Sequence, residues 1–279
     1  MRLHTIFGSL FLTVAIALLS INVVGIAAGE RYFWQADPQQ DWQRTYVRIQ
    51  ELESLERRAD ESHEAYALRI TRAVALHMLH YWVPDDERGS WDAVSRMYLP
   101  LTENYVVYWA GLKDHLKGKS RGIEFYDAEV ALRRGYGYCS QQAMILVDLL
   151  NDNGVPTTTV GLGGHVVAEA EIRPNIRWLL DPDYNVIVPH SLQDVEDRPG
   201  LIRTYYAGAG YPAATVDLLE KIYAAESNVQ VSLSSQLKSK ARNNRDLQRT
   251  YILKWAIPVT LLLVGVWLLR RRGSNATFA

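Results

Sequence analysis

The stretch "RRGYGYCSQQAMILVDLL", residues 133–150, holds the only cysteine of the 279-residue chain, Cys139. It stands where a glycine- and tyrosine-rich turn gives way to an apolar run with helical spacing. A cysteine at a helix start lies beside unpaired backbone N–H groups and the positive end of the helix dipole, and both favour thiolate over thiol. A thiolate nucleophile needs a base partner, usually histidine, and the histidine needs a third group to fix its tautomer. "GGHVVAEAEI" places His165 at a strand start after two glycines, and "RWLLDPDYN" places Asp181 at the end of the next strand. Folding these strands about Arg173 as a hairpin sets His165 and Asp181 near one edge, where the Nδ1–H of the imidazole would meet the carboxylate. Asp183 is the substitute if the register is off by two.

The elements that must position these residues follow from periodicity and punctuation. The helix opened by Cys139 runs over 141–153 and stops at Gly154, a good C-cap residue, with Pro156 after it. Three β-rich runs follow, "TTTVGLG", "HVVAEAEI" and "IRWLLD", and Arg173-Pro174-Asn175 reads as the turn between the last two. Before the cysteine, helices are expected over 39–60 and 64–82, with Pro84, Asp85 and Asp86 ending the second, then shorter ones over 91–99 and 105–116. Helical signals return from Ser191, clearest over 215–225. Segregated helices and strands of this kind make an α+β pattern.

The three blocks, in this order, resemble the transglutaminase-like superfamily, a branch of the papain-like cysteine-enzyme folds, and within it the bacterial transglutaminase-like cysteine peptidase type. The matching stretches are "GYCSQQAMILVDLLNDNGVP", "GGHVVAEAEI" and "RWLLDPDYN", a quarter of the chain over 120–190. The resemblance implies a cysteine-bearing helix packed on an antiparallel sheet. It implies Cys139 as nucleophile, His165 as base and later acid, and Asp181 as orienter, working by acyl transfer through an acyl-enzyme. Hydrolysis of a protein or peptide amide is expected over cross-linking, because water is the default acceptor and nothing marks an amine site. Many papain-like enzymes carry a glutamine about six residues before the cysteine to hold the oxyanion. Here that position is Arg133, which leaves the Cys139 N–H and a second donor, Tyr136 or Tyr138 being candidates.

The ends of the chain are of another kind. Residues 6–28 hold no charge and as a helix would span about 34 Å, enough for a hydrocarbon core. The run is long for a cleaved signal, although Ala27, Ala28 and Gly29 would suit a cleavage site. A second apolar segment, 251–269, is flanked by Trp255 and Trp267 and followed by Arg270, Arg271 and Arg272. Its Lys254 is expected to snorkel to the interface. The organisation expected is thus an anchor at 6–28, a helical region at 30–116, a transglutaminase-like core with following helices at 117–226, a polar and basic juxtamembrane segment at 227–250, a second span at 251–269 and a basic tail at 270–279. Two spans put both flanks on one side. The arginines suggest the cytoplasm, leaving the soluble domain outside a bacterial-type inner membrane, in the periplasm.

The remaining signals exclude more than they add. A formal net charge of −1 offers no field for nucleic acid. A single cysteine allows no intramolecular disulfide. No acidic loop dense enough for calcium occurs, and no cofactor is expected. His77 and His80 stand at i, i+3 on the expected helix, but no third ligand stands at useful spacing, and Tyr81 and Trp82 beside them favour packing. His190 is expected at the surface, and Gln141 and Gln142 as neighbours in the cysteine helix. The basic run from Lys238 to Lys254 reads as a solvated juxtamembrane face able to meet anionic lipid if it lies on the cytoplasmic side. The expected partners are a peptide substrate, the bilayer and an envelope protein. The rival expectation is a non-catalytic module of the same fold that scaffolds an envelope or exopolysaccharide assembly.

Overall fold

The computed structural model describes residues 2–28, 54–80, 89–95, 97–119 and 122–274. In chain order the first elements are α1 (Arg2–Ala28), α2 (His63–His77), β1 (Leu79–His80), α3 (Trp91–Ser95), α4 (Leu101–His115), α5 (Ala128–Arg134) and β2 (Tyr136–Gly137). Then come α6 (Cys139–Asp152), β3 (Thr157–Gly161), β4 (Val166–Arg173), β5 (Ile176–Asp181) and β6 (Val186–Val188). The last are α7 (Leu192–Asp197), α8 (Leu201–Gly208), α9 (Ala213–Tyr223), β7 (Val229–Val231) and α10 (Leu233–Ser274). Mixed helix and antiparallel sheet is what the segregated pattern led one to expect. The described residues divide into two units: one holds α1, α3, α4 and α10 from Arg245 on, the other α2, β1, α5 and everything from β2 to Asn244. The region expected to be helical over 30–116 is shared between them.

The second unit is built on a five-stranded antiparallel sheet of order β6-β5-β4-β3-β7. Alternation sorts its two faces. Val160, Val167, Leu179 and Val188 point to one side, into a core with Val195 and Ile202, Tyr206, Val216, Leu219 and Tyr223 of α8 and α9. Ala168, Ala170 and Leu180 occupy the opposite face, where α6 and α2 lie against β4. Helix α6 is apolar nearly all round, with Ala143, Ile145, Leu146, Val147 and Leu150 at 0 % exposure, which suits a helix enclosed on several sides. Its start is thereby fixed at one end of the sheet.

Three departures from the sequence expectations bear on the site. The helix expected over 64–82 ends at His77: Met78 turns extended, with φ −125° and ψ 117°. Leu79 and His80 then form a short parallel ladder with Tyr136 and Gly137. The turn after β4 takes only Pro174 and Asn175, the latter at φ 64°, so Arg173 pairs with Ile176 rather than forming the bend. A bulge between Glu171 and Arg173 completes the adjustment, and the ladder runs on as Ala168 opposite Leu180. The third departure is β7, an edge strand on β3 within the stretch expected to be a polar and basic juxtamembrane segment. Most of the helix expected over 39–60 lies outside the described residues; the part that is described, from residue 54, is irregular.

The first part of α10 is held to the sheet by two polar contacts, one part-buried and one buried. Lys240 Nζ donates to Asp148 Oδ2 at 2.6 Å, and Thr159 Oγ1 donates to Gln236 Oε1 at 2.6 Å.

In the other unit, α1 and α10 are the two described helices long and apolar enough to cross a membrane. They approach closely where Gly8 faces Gly265 and Leu269. Helix α4 comes closer still to α1: a Cβ on Gly25 would lie 1.9 Å from the Thr102 carbonyl oxygen. Polar groups close the same region. Asn22 Nδ2 and the Tyr105 hydroxyl both donate to the Lys254 carbonyl, at 2.7 and 3.0 Å, and Lys254 Nζ donates to the Glu103 carbonyl at 2.8 Å. Lys254 Nζ is thus tied to backbone at α4.

Candidate active site

Cys139 is the first residue of α6, and it is half-buried. The N-cap is Tyr138, whose side chain makes no capping bond, whereas α2 and α5 are capped by Ser62 and Asp127. The first-turn amides of α6 thus have no side-chain cap, and by helix geometry they have no partner within the helix. Such amides with the helix dipole form a ready anion site beside the sulfur.

His165 follows Gly164, whose φ of 113° is accessible to glycine and strained for other residues. The Leu162 amide donates to the His165 carbonyl at 2.8 Å, which closes the loop and starts β4 at Val166. The ring is buried at 5 % exposure and donates from Nε2 to Asp181 Oδ2 at 2.8 Å. That is the opposite nitrogen from the one expected. With Nε2 committed to the carboxylate, Nδ1 is the nitrogen left for the thiol. The Cys139 sulfur, a His165 ring nitrogen and an Asp183 carboxylate oxygen all lie within 4.8 Å of one another.

Both oxygens of the Asp181 carboxylate are engaged. Oδ1 accepts from the amides of Asp183 and Tyr184 at 3.0 and 3.1 Å, and Oδ2 accepts from the Tyr206 hydroxyl at 2.5 Å as well as from His165. Tyr206 in turn meets the Tyr223 hydroxyl at 2.9 Å. Burial first, then the Asp181 charge, holds both phenols well above the ordinary tyrosine value, so they stay protonated and can donate. For His165 burial pulls the pKa down, but the Asp181 charge, the hydrogen bonds to Asp181 and Cys139 and the Asp183 charge outweigh it. The net result is a pKa well above the usual 6.5. The Tyr184 ring stands edge-on to the imidazole, with centroids 5.4 Å apart.

Two further residues join the site: Gln142, expected as a neighbour in the cysteine helix, and His80, which the sequence did not place there. His80, set beside Gly137 by the parallel ladder, meets both oxygens of Asp183 from Nδ1 at 2.7 Å. Gln142 Nε2 donates to Asp183 Oδ1 at 2.9 Å. Asp183 is therefore no substitute for Asp181 but a second carboxylate with its own partners. His77 and His80, expected on one helix, are parted by the end of α2: His77 Nδ1 meets the Ala73 carbonyl at 2.7 Å, within its own helix, and His80 lies in β1. Arg133 is exposed and paired with Glu129 across one helical turn. Tyr138 stands edge-on to His80, with centroids 6.4 Å apart. His190, expected at the surface, is half-buried against the Tyr205 hydroxyl.

In comparisons with protein-family models, with curated proteins and with solved structures, nothing matches this chain.

Proposed function

We propose that the chain is a membrane-anchored, transglutaminase-like cysteine enzyme that hydrolyses an amide bond of a protein or peptide. The observation that carries this reading is the Asp181–His165 hydrogen bond set beside the Cys139 sulfur, at the start of a helix whose N-cap side chain makes no capping bond. The sulfur, shared as thiolate with an imidazolium, attacks the substrate carbonyl, and the C=O electron pair moves onto oxygen. The Cys139 N–H is placed to donate to that oxyanion. His165 then gives its Nδ1 proton to the leaving amine, the C–N bond breaks and an acyl-thioester remains. A water molecule, deprotonated by the now neutral Nδ1, attacks the thioester and releases the acid. Asp181, held by two amides and Tyr206, keeps the imidazole in register throughout.

Helices α1 and α10 anchor the chain, and Arg270, Arg271 and Arg272 favour a cytoplasmic side for both flanks, leaving the sheet unit periplasmic.

The test is the pH dependence of iodoacetamide alkylation of Cys139 in the detergent-purified chain, with and without His165→Ala. An unpaired cysteine loses reactivity below an apparent pKa near 8.5, whereas an imidazolium-paired one keeps it below neutrality. Reaction at pH 6 in the wild type that disappears in His165→Ala supports the enzyme. Two indistinguishable profiles would move the reading to a non-catalytic envelope module of the same fold.

A further inference from the structure

The proposed mechanism uses Asp181 and leaves Asp183 without a task. Yet Asp183 is 4 % exposed and sits within 4.8 Å of both the thiol sulfur and a His165 nitrogen. A carboxylate that near opposes the negative charge a thiolate needs. Its place is explained if the pocket also receives a cation. Sulfur, imidazole nitrogen and carboxylate oxygen are together the donor set of a borderline-soft divalent metal, and three protein ligands with one open position are the usual form of a non-structural zinc site. The charges match as well: a thiolate and a carboxylate neutralise a divalent ion beside a neutral imidazole.

The surroundings are those of a built site. A metal-bound histidine usually donates its far N–H to a carboxylate, and His165 Nε2 does so to Asp181. A metal-bound carboxylate is usually held by outer hydrogen bonds, and Asp183 is held by Gln142 and His80. His165 and Asp183 are buried while Cys139 is half-buried, so the sulfur marks the entry side. Among the described residues this is the one cluster of three such ligands.

We infer that Cys139, His165 and Asp183 bind a single thiophilic divalent transition-metal ion, of which zinc is the natural representative, through Sγ, Nδ1 and a carboxylate oxygen. Loading displaces the proton shared by Cys139 and His165 to solvent. The sulfur's lone pair is then committed to the metal, so the loaded state and a free nucleophile exclude one another. That consequence for activity rests on the function proposed above; the binding itself does not.

The experiment is a cobalt titration of the detergent-purified full chain after chelator stripping. One equivalent of Co²⁺ should produce a thiolate-to-cobalt charge-transfer band with the visible bands of four-coordinate geometry, and Zn²⁺ should abolish both. The charge-transfer band should be absent in Cys139→Ser, whose half-buried position tolerates an isosteric change. Outer-shell partners are worth about 10–100-fold in affinity, so His80→Gln should weaken binding by about that factor, and Asp183→Asn by at least about tenfold. Zinc at one equivalent should also protect Cys139 from iodoacetamide. The inference is overturned if the wild type gives no charge-transfer band, or if Asp183→Asn, folded by circular dichroism, titrates like the wild type. The metal-free alkylation profile tests the enzyme reading separately: Cys139 can alkylate at pH 6 in a chain that takes no cobalt, and the reverse result is equally readable.

Discussion

Asp181 receives the Nε2–H of His165 at 2.8 Å although the β4–β5 register, carried on from Ala168 opposite Leu180, would set residue 183 across from residue 165. The contact is diagonal, and the bonds from the Asp183 and Tyr184 amides to Oδ1 hold the carboxylate in that position while its other oxygen meets the ring. Hydrogen bonds to charged groups are worth about 1.5–3 kcal/mol. Asp181→Asn keeps the shape and removes the charge, so alkylation of Cys139 at pH 6 should fall about 10–100-fold with little change at pH 9. An Asp181→Asn rate equal to wild type at pH 6 would show that His165 does not depend on this partner.

The same interaction makes folding stability depend on pH. The His165 pKa is raised in the folded chain, against an ordinary value of 6.5 when unfolded. A raised histidine binds its proton more tightly in the native state, so its contribution is fully present below about pH 6.5. It is lost as pH rises through the folded-state value. Urea unfolding of the wild type minus that of His165→Gln should therefore give a stability difference that shrinks from pH 6 toward alkaline pH. A difference that is flat, or that grows with pH, contradicts the raised value.

Gly164 links backbone conformation to the His165 ring. At φ 113° a side chain is strained by about 1–3 kcal/mol. Because His165 is the next residue, relief of that strain moves the imidazole. Gly164→Ala should lower the melting temperature and, at temperatures where the chain remains folded, reduce alkylation at pH 6 toward the His165→Ala level. Full reactivity in a destabilised Gly164→Ala chain would separate the loop's fold from its role in aiming the ring.

Helix α6 and the β4–β5 hairpin were legible because each combines a clear period with strong punctuation: Gly154 and Pro156 close the helix, and Pro174-Asn175 turns the strands. The side-chain pair His165–Asp181 was named on a register two residues out, since the sequence does not show how many of Arg173, Pro174 and Asn175 belong to the turn. The ring nitrogen was also assigned the other way, because the imidazole rotamer that turns Nε2 to the carboxylate leaves no mark in the sequence. His80 was hidden for a different reason. The helical period of α2 runs on past Met78 in the sequence, and only the tertiary ladder with Tyr136 and Gly137 pulls Leu79 and His80 into a strand. The three-residue strands β6 and β7 are too short to show a period of two.

The hold of α10 on the sheet unit is a further measurable point. Burial raises the Asp148 pKa, and the Lys240 ammonium at 2.6 Å opposes that shift. Removing the ammonium leaves a buried carboxylate, and with the lysine side chain 28 % exposed the cost is discounted to about 1–3 kcal/mol. Lys240→Met should show that loss in urea unfolding. Adding Asp148→Asn should recover part of it, because an amide carries no charge to be stranded. A double variant less stable than Lys240→Met alone would mean that Asp148 is held chiefly by Gln236.

The close approach of α1 and α4 yields a prediction for the apolar unit. Any side chain on Gly25 must push the Thr102 carbonyl away, since a Cβ there would stand 1.9 Å from it. Overpacking of this kind costs about 1–3 kcal/mol. The displacement would also stretch the bonds that Tyr105 and Glu103 make with Lys254. Gly25→Val does not reduce the hydropathy of α1, so the chain should remain in the alkaline-extracted membrane pellet. Helix α4 should loosen, and trypsin should then cut at Lys113, Lys117 or Lys119 several-fold faster than in the wild type. Unchanged cleavage would mean that the α1–α4 contact is dispensable, whereas release from the membrane would assign α1 a larger share of the anchoring than its length alone suggests.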